Sequence, residues 1–266
     1  MRRILFQWRG IKFYAYPTML YFGLVFGVIG GTYAASFRGL DPVPVYTALL
    51  LLILPALAGA RILFVVSHWQ TYRREPSRIW RRSEGGAALY GGLVLSFILS
   101  LPLLAALRIS IGAFWDAAAV AMLVGMIPTK FGCLLNGCCA GRPTEGRLGL
   151  YLPNERGIWR RRWPAQLLEA GLAVVVLTGS FAAQKWFPAN GVLFLTALAG
   201  YGAARWWLES TRETIDRIGQ LNLHRTISAA LLVLSLTTLA ILWWHAPDAS
   251  MENSNDDRIL TRYLHD

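Results

Sequence analysis

Charged side chains are scarce in this chain. They make up 15% of the 266 residues, whereas 55% of the residues are hydrophobic and the mean hydropathy is +0.42. A typical soluble domain has about 25% charged residues. A soluble protein of this size could not bury so much apolar surface, so the composition excludes an ordinary soluble domain and predicts an integral membrane protein.

Acidic residues are fewer still. The chain has 15 Asp and Glu residues against 26 Lys and Arg residues, which gives a formal net charge of +11. In a soluble protein this excess would indicate nucleic acid, but in a membrane protein it indicates anionic lipid headgroups. We therefore expect membrane lipids as partners and no nucleic acid. The first segment, "MRRILFQWRGIKFY", interleaves basic and aromatic residues and does not resemble a cleaved signal peptide.

Long apolar runs are abundant. A helix that crosses a bilayer needs about 20 mostly apolar residues. Seven segments meet this requirement: 16–35, 45–67, 86–106, 114–134, 165–187, 191–208 and 226–244. We expect an all-α polytopic membrane protein with about seven transmembrane helices around a central cationic cavity. Residues 1–245 would form one membrane domain with a head-like loop at about 141–163, and the polar residues 246–266 a disordered tail.

Basic residues are distributed unevenly between these spans. The N-terminus and the loops on its side carry 18 Lys and Arg residues, and the opposite side carries five. The positive-inside rule, taken alone, predicts that the N-terminus lies in the cytoplasm.

A few ionisable residues fall inside or at the edges of the spans. The cations are Arg61, Lys130 and Arg205, and the acids are Asp116, Glu169 and Glu209. Charges in a membrane are costly and usually pair or face an internal cavity. Two interpretations stay open. The acids could pin helices together by neutralising arginines, or the three cations could converge on one cavity that binds a phosphate, which arginine holds with a bidentate fork.

All three cysteines lie in residues 131–141, "FGCLLNGCCAG". A zinc site, a disulfide from Cys133 to Cys138 or Cys139, and a reactive thiol are all chemically possible. No fourth metal ligand is close in sequence, so we expect neither a metal site nor a cofactor. The favoured interpretation is that the cysteines are small packing residues in a glycine-rich turn.

Six motifs in order, between about Tyr16 and Gln220, resemble one family. They are "YPTMLYFG", "GARILFVV", "GGAALYGGLV", "KFGCLLNGCCAGR", "WPAQLLEA" and "YGAARWWLESTRE", and "GQL" follows the last. Together they are similar to the signature segments of the prolipoprotein diacylglyceryl transferases. The resemblance implies the fold of that family over most of the chain.

The resemblance also implies an activity. It predicts an enzyme, a phosphatidylglycerol–prolipoprotein diacylglyceryl transferase, that moves a diacylglyceryl group from phosphatidylglycerol to the thiol of a lipobox cysteine. This is the first step of bacterial lipoprotein maturation, and its partners are phosphatidylglycerol and prolipoprotein signal peptides. The nucleophile belongs to the substrate protein. The family places the site on the outer side of the bacterial plasma membrane, opposite to the charge count, and we follow the family here.

The resemblance implies the candidate site residues as well. The catalytic candidates are Tyr90, Lys130 and Arg205. The candidates for binding the phospholipid or substrate are Arg61, Tyr16, Gly91, Gly92, Asn136, Gly141, Arg142, Gln166, Glu169, Tyr201 and Glu209. The arm-like loop, residues 69–84, and the head-like loop are expected to touch the substrate peptide.

Several positions depart from the family pattern. Tyr90 replaces a histidine, Lys130 an arginine, Cys133 an asparagine, Cys138 a glutamate and Trp163 a second histidine. A tyrosine, whose pKa is near 10, is a poor base at neutral pH unless cations lie close to it. Tyr90 is therefore either a group that bonds the phosphate or accepts a proton, or a packing residue. Two alternatives stay open: a family paralogue with another acceptor, or a non-enzymatic protein that binds or transports anionic lipid.

Overall fold

Helices dominate the computed structural model, which describes residues 4–80, 89–213, 217–218 and 221–244. Seven of the described helices are long: α1 (Ala15–Ser36), α2 (Pro42–Ser67), α4 (Leu89–Leu107), α5 (Ile111–Asn136), α6 (Ala165–Trp186), α7 (Val192–Leu208) and α8 (Leu223–Trp244). Six of them are long and apolar enough to cross a membrane. Helix α7 has 17 residues, which is at the short end of the range for a membrane span. The prediction of an all-α polytopic membrane protein is confirmed.

Short elements join the long helices. The described strands form three antiparallel hairpins: β1 (Ile4–Trp8) with β2 (Ile11–Tyr14), β3 (Leu150–Pro153) with β4 (Trp159–Arg162), and β5 (Arg217–Ile218) with β6 (Leu221–Asn222). The head-like loop therefore holds the β3–β4 hairpin. The arm-like loop holds the single-turn helix α3 (Trp69–Tyr72) and a 3₁₀ helix, Pro76–Trp80. The rest of that loop, the start of the third predicted span and the tail at 246–266 lie outside the described residues.

Local sequence signals explain several helix ends. Asp41 caps α2, since its Oδ1 accepts a hydrogen bond from the amide of Val43 at 3.0 Å, and Pro42 occupies the first turn. Helix α5 ends at Gly137, whose φ of 80° lies in the left-handed region that glycine adopts without strain. Cys138 and Cys139 follow this turn directly, whereas Cys133 lies in the last turn of α5.

Small residues let α1 and α5 pack closely. A Cβ added at Gly23 would lie 2.5 Å from the carbonyl oxygen of Gly125, and one added at Gly27 would lie 2.5 Å from that of Ala121. Membrane helices commonly associate through such small-residue contacts. On the outer surfaces of the bundle, large apolar side chains such as Leu54 and Val175 are exposed, as expected for a surface that faces lipid tails.

The contacts between helix ends define two ends of the bundle. The start of α1 lies against the end of α5, and the start of α8 lies against the start of α4. The chain segments that follow α2, α5 and α7 therefore share one end with the N-terminal hairpin, and we call this the site end. The segments that follow α1, α4 and α6 share the far end.

Asp116 organises the far end. Its carboxylate pairs with Arg38 and accepts hydrogen bonds from the backbone amides of Gly191, at 2.9 Å, and Phe194, at 2.8 Å. A carboxylate at a helix N-terminus satisfies amides that have no partner within the helix. Asp116 therefore fixes the start of α7 against α5, which is the pinning role that we considered for the acids within the spans.

Candidate active site

Glu169 is the centre of a buried ion-pair network at the site end. It lies in the second turn of α6 and is 1% exposed. Its carboxylate pairs with Lys130 of α5, with Arg205 of α7 at 3.3 Å, and with Arg212, whose Nε donates at 3.1 Å. One carboxylate thus joins three cations, Lys130 from one part of the chain and Arg205 and Arg212 from another.

A second carboxylate extends this network. Arg205 Nη2 contacts Glu209 Oε2 at 2.8 Å, one helical turn further along, and both side chains are at least 94% buried. The network therefore sets three cations against two carboxylates, which leaves a formal charge of +1. Leaving a buried charge without its partner costs about 3–5 kcal/mol, so each member depends on the others.

The network differs in one respect from the expected cationic cavity. The expected trio was Arg61, Lys130 and Arg205, but the third cation at Glu169 is Arg212. Arg61 donates hydrogen bonds to the backbone carbonyl of Ile79, at 3.1 and 3.2 Å, and lies over the rings of Phe64 and Tyr72. The network is a packed cluster with a net positive charge rather than an open cavity.

A glycine brings Arg212 to this position. Gly141 forms an isolated antiparallel bridge with Arg212, and a Cβ at Gly141 would lie 2.1 Å from the carbonyl oxygen of Trp163. Only a residue without a side chain fits there. Burial alone would lower the pKa of Arg212, but the adjacent Glu169 carboxylate raises it above its ordinary value, so this guanidinium stays charged.

Two tyrosines lie beside the network. Tyr201 of α7 interacts electrostatically with Glu169 and Lys130. Tyr90, at the start of α4, is 3% exposed, and its hydroxyl forms a hydrogen bond with that of Ser228 on α8. It also lies within electrostatic reach of Arg205 and Glu209. The structure therefore brings Tyr90 to the α7–α8 side of the network.

Three polar candidates, Asn136, Arg142 and Gln166, lie near the turn that follows α5. The Nε2 of Gln166 donates to the carbonyl oxygen of Cys138 at 2.8 Å, and its buried Oε1 has no hydrogen-bond partner among the described residues. Asn136 lines a hollow of about 480 Å³ between the end of α5 and the β3–β4 hairpin. Arg142 holds Thr211 through its backbone amide, at 2.8 Å, while its side chain is exposed.

Gly91 and Gly92 pack against α2. A Cβ at Gly91 would lie 2.3 Å from the carbonyl oxygen of Gly59, and one at Gly92 would lie 2.6 Å from that of Ala56. These contacts make the two glycines helix-packing residues. Their expected role in binding the phospholipid or substrate stays a prediction.

The three cysteines come together at the edge of the network. They are free thiols whose sulfur atoms all lie within 4.8 Å of one another. Hydrogen bonds from Cys133 and Cys138 and the nearby charges of Lys130 and Arg212 lower the pKa of Cys139 below its ordinary value. Tyr16, at the start of α1, lies beside the same cluster and Lys130. The segment is therefore part of the candidate site and not only a turn.

An apolar groove is formed by two helices that also contribute residues to the network. It has a volume of about 610 Å³ and lies between α6 and α7. Its lining includes Leu172, which follows Glu169 by three residues, and Ala204, which precedes Arg205. The groove is apolar, as the tails of a phospholipid require, and no charged residue of the network is among its lining residues.

Comparisons with known proteins identify the family of the chain. The family model described as "Prolipoprotein diacylglyceryl transferase" matches residues 3–244. The chain belongs to this family. Relatives named phosphatidylglycerol–prolipoprotein diacylglyceryl transferase include one from Trichormus variabilis, 25% identical over 86% of this chain and 85% of its own, and one from Geobacillus kaustophilus, 28% identical over 85% and 87%. One from Lactiplantibacillus plantarum is 27% identical over 88% and 86%.

The residues of the network lie in the motifs that resemble the family. Lys130, Glu169, Arg205 and Arg212 come from three separate motifs, and the fold joins them at one point. Arg212 was not among our candidates, although it lies in the "YGAARWWLESTRE" motif that carries the resemblance. The motif therefore held the signal, and our candidates took Tyr201, Arg205 and Glu209 from it but not Arg212.

Other residues of the site carried no signal in the sequence. Arg162 is 1% exposed, pairs with Glu213 at 2.8 Å and donates to the carbonyl oxygen of Gly141 at 3.3 Å. It supports the backbone that presents Arg212. Ser228, the partner of Tyr90, lies in the last apolar span, where a single serine has no distinguishing pattern.

Proposed function

We propose that this member of the family transfers the diacylglyceryl group of phosphatidylglycerol to the thiol of a lipobox cysteine in a prolipoprotein signal peptide. The observation that carries the proposal is the buried network in which Glu169 joins Lys130, Arg205 and Arg212. Its net positive charge suits the phosphate of an anionic phospholipid, and an apolar groove between the two helices that carry Glu169 and Arg205 suits the tails.

The chemistry is a displacement at a glycerol carbon. The sulfur of the incoming cysteine forms a bond to that carbon as the bond from carbon to the phosphate oxygen breaks. The phosphate keeps the electron pair and leaves as glycerol phosphate, and the thiol proton goes to a base or to water. Cations near the leaving oxygen stabilise the charge that develops there, which is the largest contribution that such a site can make.

We assign the roles of the candidates on this basis. Arg205 and Lys130 would bind the phosphate and stabilise the leaving group, with Arg212 completing the cationic set. Glu169, Glu209 and Tyr201 would hold these cations in place. Tyr90 would hydrogen-bond the phosphate or take a proton. Positions nearer the acceptor peptide would be Tyr16, Asn136, Gly141, Arg142 and Gln166.

We also propose a location for the site. The protein spans the membrane several times. Residues 1–245 would form a single domain in the bacterial plasma membrane, with the site end on the outer side, where a signal peptide could reach the cations after translocation. The β3–β4 hairpin and the segment after α2 lie at that end and are the proposed contacts of the acceptor peptide.

The decisive experiment measures transfer by the purified protein. Phosphatidylglycerol labelled in both its backbone glycerol and its headgroup glycerol is mixed with a lipobox peptide in detergent micelles. The backbone label then counts the modified peptide, and the headgroup label counts the released glycerol phosphate. We expect equal amounts of both products. Arg205→Lys keeps the charge but loses the fork, so we expect kcat/KM to fall about 10- to 100-fold.

Arg38→Lys provides the matched control. Arg38 pairs with Asp116 at the far end, so its replacement tests the general cost of losing an arginine fork in this bundle. We expect kcat/KM to stay within about threefold of the parent value. A residue outside the site should have only a small effect on the reaction. Lipid binding without products, or glycerol phosphate without modified peptide, would contradict the proposed transfer.

A further inference from the structure

The three thiols form a potential metal site that the sequence alone did not reveal. Cys133 lies in the last turn of α5, Gly137 then turns the chain, and Cys138 and Cys139 follow. The turn folds the chain back so that all three sulfur atoms lie within 4.8 Å of one another. In a tetrahedral zinc–thiolate site, sulfur atoms lie about 3.8 Å apart, because each is about 2.3 Å from the metal. Small rotations of the side chains would close that difference.

We propose that Cys133, Cys138 and Cys139 bind one thiophilic metal ion, with Zn²⁺ as its reference, and leave a fourth coordination position open. Three protein ligands with one open position are the arrangement of catalytic zinc sites, whereas structural sites are closed by four. Thiolate ligands select soft or borderline ions such as Zn²⁺ and Cu⁺ over Mg²⁺ and Ca²⁺.

The surroundings favour a metal bound by thiolates. Three thiolates and Zn²⁺ carry a combined charge of −1, and Lys130 and Arg212 lie close enough to Cys139 to interact with it electrostatically. The backbone around the cluster is also held in place. Gln166 donates to the carbonyl oxygen of Cys138 at 2.8 Å, and the amide of Glu213 donates to that of Ala140 at 3.1 Å. Ligands that are fixed in this way lose less entropy when a metal binds.

The open position would take the acceptor thiol, a role that rests on the proposed function. A thiol that coordinates Zn²⁺ loses its proton, which passes to water, and the bound sulfur remains a nucleophile. Two of the ligands, Cys133 and Cys138, replace the asparagine and the glutamate of the family pattern, and Tyr90 replaces its histidine. A metal that deprotonates the thiol would make a separate general base unnecessary.

The experiment uses Co²⁺ as a spectroscopic substitute for Zn²⁺. The full chain is purified with a phosphine reductant, and a thiol titration first establishes three free thiols per chain. Because the chain has only three cysteines, every charge-transfer band from a thiolate to Co²⁺ arises from this cluster. We expect a band that saturates at one Co²⁺ per chain and disappears when Zn²⁺ is added.

Serine variants show whether the three thiols act together. We expect Cys133→Ser, Cys138→Ser and Cys139→Ser each to weaken or remove the band, and the triple variant to lose it completely. The single variants keep the test valid if the triple variant does not fold. A reduced parent protein without a band, or a band that survives in the triple variant, would overturn the proposal.

A pair of peptides tests the open position without any turnover. A lipobox peptide with its cysteine should shift the Co²⁺ spectrum, and the same peptide with serine should leave it unchanged. Equal spectra with both peptides would overturn the open position. The Co²⁺ titration measures metal binding directly and does not require transfer. A failed transfer assay would therefore contradict the proposed function without contradicting the metal site.

Discussion

Glu169 shows how a membrane protein can keep three cations at one point. Each cation alone would be costly in the bilayer, and a shared carboxylate removes most of that cost. Because Lys130, Arg205 and Arg212 exceed Glu169 and Glu209 by one charge, the cluster keeps a net positive charge that attracts an anion. A phosphate that binds there would exchange some of these ion pairs for bidentate contacts with arginine.

Tyr90 allows a direct test at this scale. Its hydroxyl is the only polar atom that Tyr90→Phe removes, so the ring and its packing are kept. If the hydroxyl bonds the phosphate or takes a proton in the transition state, kcat should fall about 100-fold or more, as for the loss of an acid–base group. The rate of transfer from labelled phosphatidylglycerol to the lipobox peptide measures this.

Ser228→Ala is the matched control. It removes the partner of the Tyr90 hydroxyl without touching the hydroxyl itself, since the two groups share one hydrogen bond between α4 and α8. We expect a small effect on kcat and the same thermal stability in both variants. Equal losses of activity in the two variants, or unchanged turnover in Tyr90→Phe, would make Tyr90 a packing residue.

The sequence identified most of these residues but not how they pair. Motif positions pointed to Lys130, Glu169 and Arg205, and the structure joins them. Which cation completes the set depends on contacts between segments far apart in the chain, such as the Gly141 bridge that presents Arg212. Arg61 lies in a motif as well, yet it contacts the backbone at Ile79 instead. Motif matches carry no such information about partners.

The long helices were predictable because each is a long, mostly apolar run of residues. All seven predicted spans coincide with long helices over the described residues, with ends that differ by a few positions. The short β1–β2 and β3–β4 hairpins were not predicted. Each has strands of four or five residues, and much of their surface is exposed, so neither gives a clear alternation of apolar and polar residues.

The packing of α2 against α4 gives a prediction at the scale of elements. Gly59 and Gly91 face each other, and a Cβ on either would lie 2.3 Å from the carbonyl oxygen of the other. Gly91→Ala must push the two helices apart. We expect it to lower the free energy of unfolding by about 1–3 kcal/mol, the usual cost of overpacking. Unfolding in mixed detergent micelles would measure the change.

Gly171→Ala is the control for this prediction. Gly171 lies in α6, is exposed, and would meet nothing within 4 Å if a Cβ were added. Alanine is the better helix former there, so we expect no loss of stability and a gain of up to about 1 kcal/mol. If Gly91→Ala were as stable as Gly171→Ala, the close contact between α2 and α4 would be contradicted.

The whole molecule has a strong charge asymmetry between its two ends. The site end holds most of the basic residues, which the positive-inside rule would place in the cytoplasm. Several of these arginines already have specific partners: Arg162 pairs with Glu213, and Arg205 and Arg212 pair with Glu169. Arginines that bind anionic headgroups are placed for that binding and not for membrane orientation. The count of basic residues therefore overstates the evidence that the site end is cytoplasmic.

Reporter fusions decide the orientation. We expect a fluorescent protein that folds only in the cytoplasm to be bright when it follows Asp266, and alkaline phosphatase, which is active only outside, to be inactive there. Helix α8 starts at the site end, so it should carry the C-terminus to the opposite side of the membrane.

Fusions after Arg74, in the segment that follows α2, serve as the internal control and should give the reverse pattern. A bright fusion after Arg74 together with an active phosphatase after Asp266 would place the site end in the cytoplasm. The headgroup site would then be separated from a translocated signal peptide, and the proposed outer location would be wrong.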